Sequence, residues 1–229
     1  MDRGQVASLL EDVRGGPEKA TLYRKLVKIR TDVIGTEAGV ETFYALGGIR
    51  LLVGLMAKPY EKVLEVVLSI LGNCCMRKDC AKQAHEHGIL TPLISIISNI
   101  PNPAIQCRGC RLLGNLAQFP AITYAIGKDC ANASYALTAI LSESNNTAVL
   151  IMAIRAIRQL WNEKSIRDMM ISQGCIKKIV GLLLKFARNE AKALECTSDE
   201  EPQEDETEKV VIKRMHAPDR TVTREKFKN

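Results

Sequence analysis

Aromatic side chains are scarce in this chain: one Trp, five Tyr and four Phe among 229 residues. Few stacking platforms are therefore available for single-stranded nucleic acid, and the core falls to Leu, Ile, Val and Ala. No apolar run approaches the roughly 18 residues of a membrane span. The opening Met1-Asp2-Arg3-Gly4-Gln5 leads into no long apolar stretch of a secretion signal. The eight cysteines then read as reduced thiols of a cytosolic or nuclear protein. In that setting the glycosylation-type triplets at Asn132 and Asn145 are silent.

Catalytic and metal-binding patterns are equally thin. The sequence has neither a phosphate-binding glycine loop nor a Gly-x-Ser-x-Gly elbow. His85 and His87 stand two residues apart and face different sides of a helix, whereas a shared metal wants i, i+4 spacing. His216 is the remaining histidine. Cys107 and Cys110 make one C-x2-C pair without a second pair at zinc-finger spacing. Cys74, Cys75 and Cys80 could complete a site only if the helices brought them close, so buried small hydrophobes are the default. The expectation is a protein without catalysis, metal or cofactor.

What the chain does have is a repeat. A glycine followed by an amphipathic helix recurs at Gly48-Ile49-Arg50-Leu51-Leu52, Gly88-Ile89-Leu90-Thr91-Pro92-Leu93 and Gly174-Cys175-Ile176, with Cys130 keeping the phase between the last two. The successive steps are 40, 42 and 44 residues. A second marker, a polar amide in a longer helix, appears as Leu71-Gly72-Asn73, Leu113-Gly114-Asn115 and Arg158-Gln159-Leu160, in steps of 42 and 44. Two markers drifting together indicate helical repeats of roughly 40 to 47 residues.

Each unit reads as three helices. In one unit these are 78–86, 89–98 and 104–119, with Gly88 at the first turn, Pro92 in a first helical turn, and Asn99-Ile100-Pro101-Asn102-Pro103 as a breaker. The next unit repeats the plan at 121–126, 133–142 and 148–162. In its last helix Val149, Ala153, Ala156 and Leu160 form an apolar stripe at three- and four-residue steps.

The glycine turn and the Leu-Gly-Asn-Leu-Ala stretch at Leu113–Ala117 resemble the armadillo family over about residues 20 to 190. More narrowly, Ile70–Leu116 is similar to the repeat array of the armadillo repeat-containing protein 5 family, with its paired-cysteine helix and the Ile105-Gln106-x-Arg108 entry to the next. The resemblance implies an all-α, right-handed solenoid of about three full units, a degenerate half-unit at 21–46 and a final unit from Lys164 without its third helix. The domain plan is a cap at 1–20, repeats over 21–194 and a disordered charged tail at 195–229. The resemblance also implies the partner-binding part of a cullin-3 ubiquitin ligase adaptor. A BTB domain follows the repeats in that family and is not found in this sequence, which points to a fragment, a short isoform or a diverged relative.

In such a solenoid the third helices line a groove. Candidate groove residues are Asn73, Arg108, Arg111, Asn115, Arg155, Arg158 and Gln159. The amides offer donors and acceptors for an extended backbone, or else brace neighbouring turns. Importin-type grooves carry Trp four residues before the Asn. Those places hold Ser69 and Arg111 here, which disfavours a basic nuclear-import ligand. Trp161 reads as core packing at a unit junction.

Residues 101–185 hold ten Lys/Arg against four Asp/Glu, a surplus suited to an acidic partner. The tail is blocked in charge: eight acidic and no basic residues over 195–208, then seven basic against two acidic over 209–229. Such blocks bury little apolar surface and are expected to stay disordered. The function expected is a non-enzymatic scaffold taking an acidic or extended protein segment, with nucleic-acid binding along the basic strip as the alternative. Oligomeric state is open.

Overall fold

The computed structural model describes residues 1–58, 60–130 and 132–198. Thirteen helices and no strand occur among them. Helices α1 (Arg3–Arg14) and α2 (Lys19–Lys28) come first, and α2 runs on into a π-helical turn, Ile29–Val33. Three three-helix units follow: α3 (Glu37–Ala45), α4 (Gly48–Leu55) and α5 (Glu61–Cys74); α6 (Lys78–Glu86), α7 (Leu90–Asn99) and α8 (Pro103–Leu116); α9 (Pro120–Asp129), α10 (Asn132–Glu143) and α11 (Thr147–Leu160). Helices α12 (Lys164–Ser172) and α13 (Cys175–Ser198) close the described chain. The fold is a short armadillo solenoid in which α2, α5, α8 and α11 stack side by side as third helices.

Local chemistry explains the boundaries. Asn102 accepts hydrogen bonds from the Ala104 and Ile105 amides, and Pro103 fills the first helical position where no N–H is needed. Asn146 caps α11 in the same way, through the Val149 amide. At the other end of the unit, Gly47, Gly88 and Gly174 take φ of +74°, +76° and +74° at the turn into a second helix.

Three expectations are corrected. In the first unit the left-handed residue is Gly47, not Gly48. Gly48 opens α4, where a Cβ would lie 2.5 Å from the Phe43 ring. At the third turn the residue in the glycine's place, Cys130, takes φ −133°, ψ 51° and not the left-handed conformation. The supposed half-unit at 21–46 straddles a boundary: α2 with its π turn stacks on α5 as a third helix, while α3 begins the first full unit.

The interior is aliphatic, with Leu26, Ile29, Leu52, Leu68, Leu71, Leu93, Leu113 and Leu160 fully enclosed. Each such side chain contributes about 1.5–3 kcal/mol on burial. One compact unit covers Met1–Leu182, and a second begins at Leu183. Helix α13 continues through Ser198, past the expected repeat boundary at 194. The rest of the proposed tail, including His216, lies outside the described residues. No single helix among the described residues is long and apolar enough to cross a membrane.

Candidate partner-binding strip

All seven candidate residues sit on α5, α8 and α11, and the structure sorts them into engaged and free. Arg108 is engaged: its Nη2 and Nε donate to Glu65 Oε1 at 2.7 and 3.1 Å, from α8 across to α5. Arg111, one turn on, donates through Nη2 to the Ser69 carbonyl (3.2 Å) and to Asn73 Oδ1 (3.0 Å). Three- and four-residue spacing puts both arginines on the same face of α8.

Asn115 requires correction as a ligand-facing amide. It is 2 % exposed; its Nδ2 donates to the Gly72 carbonyl at 2.8 Å and its Oδ1 accepts from Gln118 Nε2 at 3.3 Å. The reason is the close approach of α8 to α5 at Gly72, where a Cβ would come within 3.0 Å of Arg111 Nη2. At that distance the amide finds a backbone acceptor on the neighbouring helix before it can reach solvent. Asn115 therefore ties two third helices together. Asn73 is exposed and accepts from Arg111.

The free cations lie further along. Arg155 and Arg158 on α11 are exposed and make no hydrogen bond or ion pair among the described residues. Arg155 is near enough to Arg111 to repel it. Burial first, then the charges of Arg108 and Arg155, pull the Arg111 guanidinium below the ordinary arginine value, with Cys107 opposing. It stays cationic at neutral pH. Its Nε is enclosed without a partner among the described residues, so Arg111 is only partly satisfied. Gln159 is half-buried beside Gln118, Thr123, Asn162 and Glu163, around a hollow of about 170 Å³. A strip results in which one cation is neutralised, one is braced and two are open.

Glu65 and Gln118, and the acceptor role of the Ser69 carbonyl, carry no motif that marks them in the sequence. The 42-residue repeat is the available signal, since it sets 65, 69 and 73 of α5 beside 107, 111 and 115 of α8, with Arg108 one residue on. Among the described residues no group of three His, Cys, Asp or Glu converges as a metal site. Burial pushes the Cys80 thiol up to about 11 and the Cys110 thiol up to about 12, and raises Cys74 and Cys75 as well. Thiols so held are neutral and inert at physiological pH.

The armadillo model described as ARMC5 matches residues 62–217, more than half of the sequence. The chain belongs to this armadillo-repeat family. Armadillo repeat-containing protein 5 of Mus musculus is 28 % identical over a match covering 46 % of this chain and 16 % of that one, so the chain spans a small part of the relative's length. Among solved structures, an engineered protein of the Northeast Structural Genomics Consortium is similar with a TM-score of 0.70 and 19 % identity, covering 80 % of this chain and 72 % of that one. A designed armadillo repeat protein in complex with the peptide (KR)4 is similar with a TM-score of 0.68 and 18 % identity, covering 80 % and 74 %. Both likenesses concern the fold. An armadillo array is a scaffold suited to protein binding and generally has no catalysis of its own.

Proposed function

We propose that this chain is a protein-interaction scaffold whose third-helix strip takes an acidic, extended segment. The observation that carries this is the unpaired charge of Arg155 and Arg158 beside the half-satisfied Arg111. Charge-assisted hydrogen bonds from guanidinium forks suit carboxylates, and the surplus steers an acidic chain toward the strip. The designed neighbour is in complex with a lysine–arginine peptide; the cations here favour the opposite ligand charge. Nucleic acid is the weaker reading, because the strip itself carries no aromatic platform on which bases would stack.

A poly-glutamate peptide, compared with the (KR)4 peptide across a salt titration, tests the reading. Binding of the poly-glutamate alone, weakened by salt and abolished by Arg111→Glu with Arg155→Glu, is the expected result. Equal binding of both peptides, or unchanged binding by the doubly substituted protein, would refute it. A finer proposal rests on family membership: the array serves, in the cytosol or nucleus, as the substrate-binding part of a cullin-3 ligase adaptor. Co-precipitation of cullin-3 with the complete protein checks it, and failure there leaves the strip untouched.

A further inference from the structure

Among the described residues, no third helix packs on α13 as α5 packs on α4 and α8 on α7. The register that relates the units assigns Ile154, Ile157 and Trp161 of α11 to Cys110, Leu113 and Ala117 of α8, and to Leu68, Leu71 and Cys75 at α5. All six earlier residues are buried. On α13, Ile176, Ile179 and Val180 correspond through the glycine turn to Leu90, Leu93 and Ile94 of α7, and to Ile49, Leu52 and Val53 of α4. Those six are buried too, beneath third helices. In the last unit Ile176 and Val180 are 49 % and 48 % exposed, Trp161 and Ile179 are half-buried, and together they line a groove of about 450 Å³.

One substitution sets this groove apart from its predecessors. Gly72 leaves room for the Arg111 guanidinium of the next third helix, and Gly114 lets the next one approach to backbone distance, where a Cβ would lie 3.3 Å from the Ala156 Cα. The corresponding residue of α11 is Arg158, exposed and without a partner among the described residues. A guanidinium at that place blocks a plain apolar helix and rewards one carrying a carboxylate.

We propose that the α11–α13 groove docks an amphipathic helix of a protein partner, with an apolar ridge on Trp161, Ile176 and Val180 and a Glu or Asp opposite Arg158. The mode is helix-in-groove recognition, read by side chains at three- and four-residue spacing. It is separate from the extended-segment reading of the strip, although Arg158 borders both sites.

Trp161 is the sole tryptophan and reports the event directly. The probes are two helical peptides of 14 residues, the length of α5, α8 and α11. Both carry leucines along one face; one has glutamates beside them and the other lysines. The glutamate peptide should shift the Trp161 emission of the full chain, and the lysine peptide should not. Arg158→Glu should weaken the glutamate peptide by about tenfold and admit the lysine peptide. Val180→Asp, at an exposed position, should abolish both while leaving poly-glutamate capture by the strip intact. Equal response to the two peptides, or none to either, overturns the proposal. Two further outcomes overturn it in favour of another occupant. Peptide binding that appears only after Ile212→Asp would assign the groove to this chain's own C-terminal segment. A dimer dispersed by Val180→Asp would assign it to a second copy.

Discussion

The junction between α5 and α8 and the junction between α8 and α11 occupy equivalent places in the repeat, yet they are built differently. The first is closed by polar ties: Arg108 to Glu65, Arg111 to Ser69 and Asn73, Asn115 to the Gly72 carbonyl. At the second, Cys107 stands in the place of Glu65 and Arg111 in the place of Ser69. Arg155, the counterpart of Arg111, therefore faces a like-charged side chain, and it makes no hydrogen bond to the Arg111 carbonyl that corresponds to the Ser69 acceptor. The acceptor it would inherit, on Asn115, already serves Gln118. The second junction is held mainly by apolar contact, with Ala156 against Gly114, and by one weak tie from the Cys107 thiol to the Ala148 carbonyl at 3.8 Å. Paired polar groups rigidify an interface, whereas unpaired cations at its edge remain available to a ligand. One repeat register thus yields a brace at one junction and a binding edge at the next.

The largest effect should come from overfilling the second junction. Gly114→Leu would force side-chain atoms into the Ala156 backbone and should destabilise the fold by about 3 kcal/mol, read by chemical denaturation. A loss below about 1 kcal/mol would mean the junction is loosely packed. Next is the buried tie of the first junction. Asn115→Leu strips the Gly72 carbonyl of its donor and should lose about 2 kcal/mol, with little change in peptide capture. Loss of capture at full stability would restore Asn115 to the ligand-facing role that its position in the motif suggests.

That last case shows what the sequence makes legible and what it does not. Helix α6 falls where the spacing puts it, and the ends of α7, α8, α10 and α11 shift by one to three residues, because Gly, Pro and capping Asn act locally. The Gly47-Gly48 pair is locally ambiguous, and the ring of Phe43 decides it. The strip's residues were found from the repeat, but their roles depend on what stands across the junction. Only the distance between α5 and α8 shows that Asn115 turns inward while Arg155 remains outside. Trp161 likewise reads as packing at a junction, and its place beside an open groove appears only once α13 is positioned.

A smaller effect is expected at the ion pair. Arg108→Met should cost no more than about 1 kcal/mol, since both side chains are about a third exposed and water screens the pair. Thermal melts at low and high salt should converge for this variant and the parent; a gap that persists in high salt would place the pair in a drier setting than its exposure indicates. Smallest of all is the stability change for Arg155→Met with Arg158→Met, within about 0.5 kcal/mol, because both side chains are exposed and neither guanidinium makes a hydrogen bond or ion pair among the described residues.

The most direct measurement is poly-glutamate affinity and melting temperature determined together for two variants, Arg108→Met and the doubly substituted Arg155→Met, Arg158→Met. The two junctions predict opposite outcomes: Arg108→Met lowers the melting temperature and keeps the affinity, while the double change keeps the melting temperature and weakens the peptide by about tenfold or more. If the double change lowers stability and spares the affinity, or if Arg108→Met weakens the peptide as much as the double change does, the division between a bracing and a binding junction is wrong.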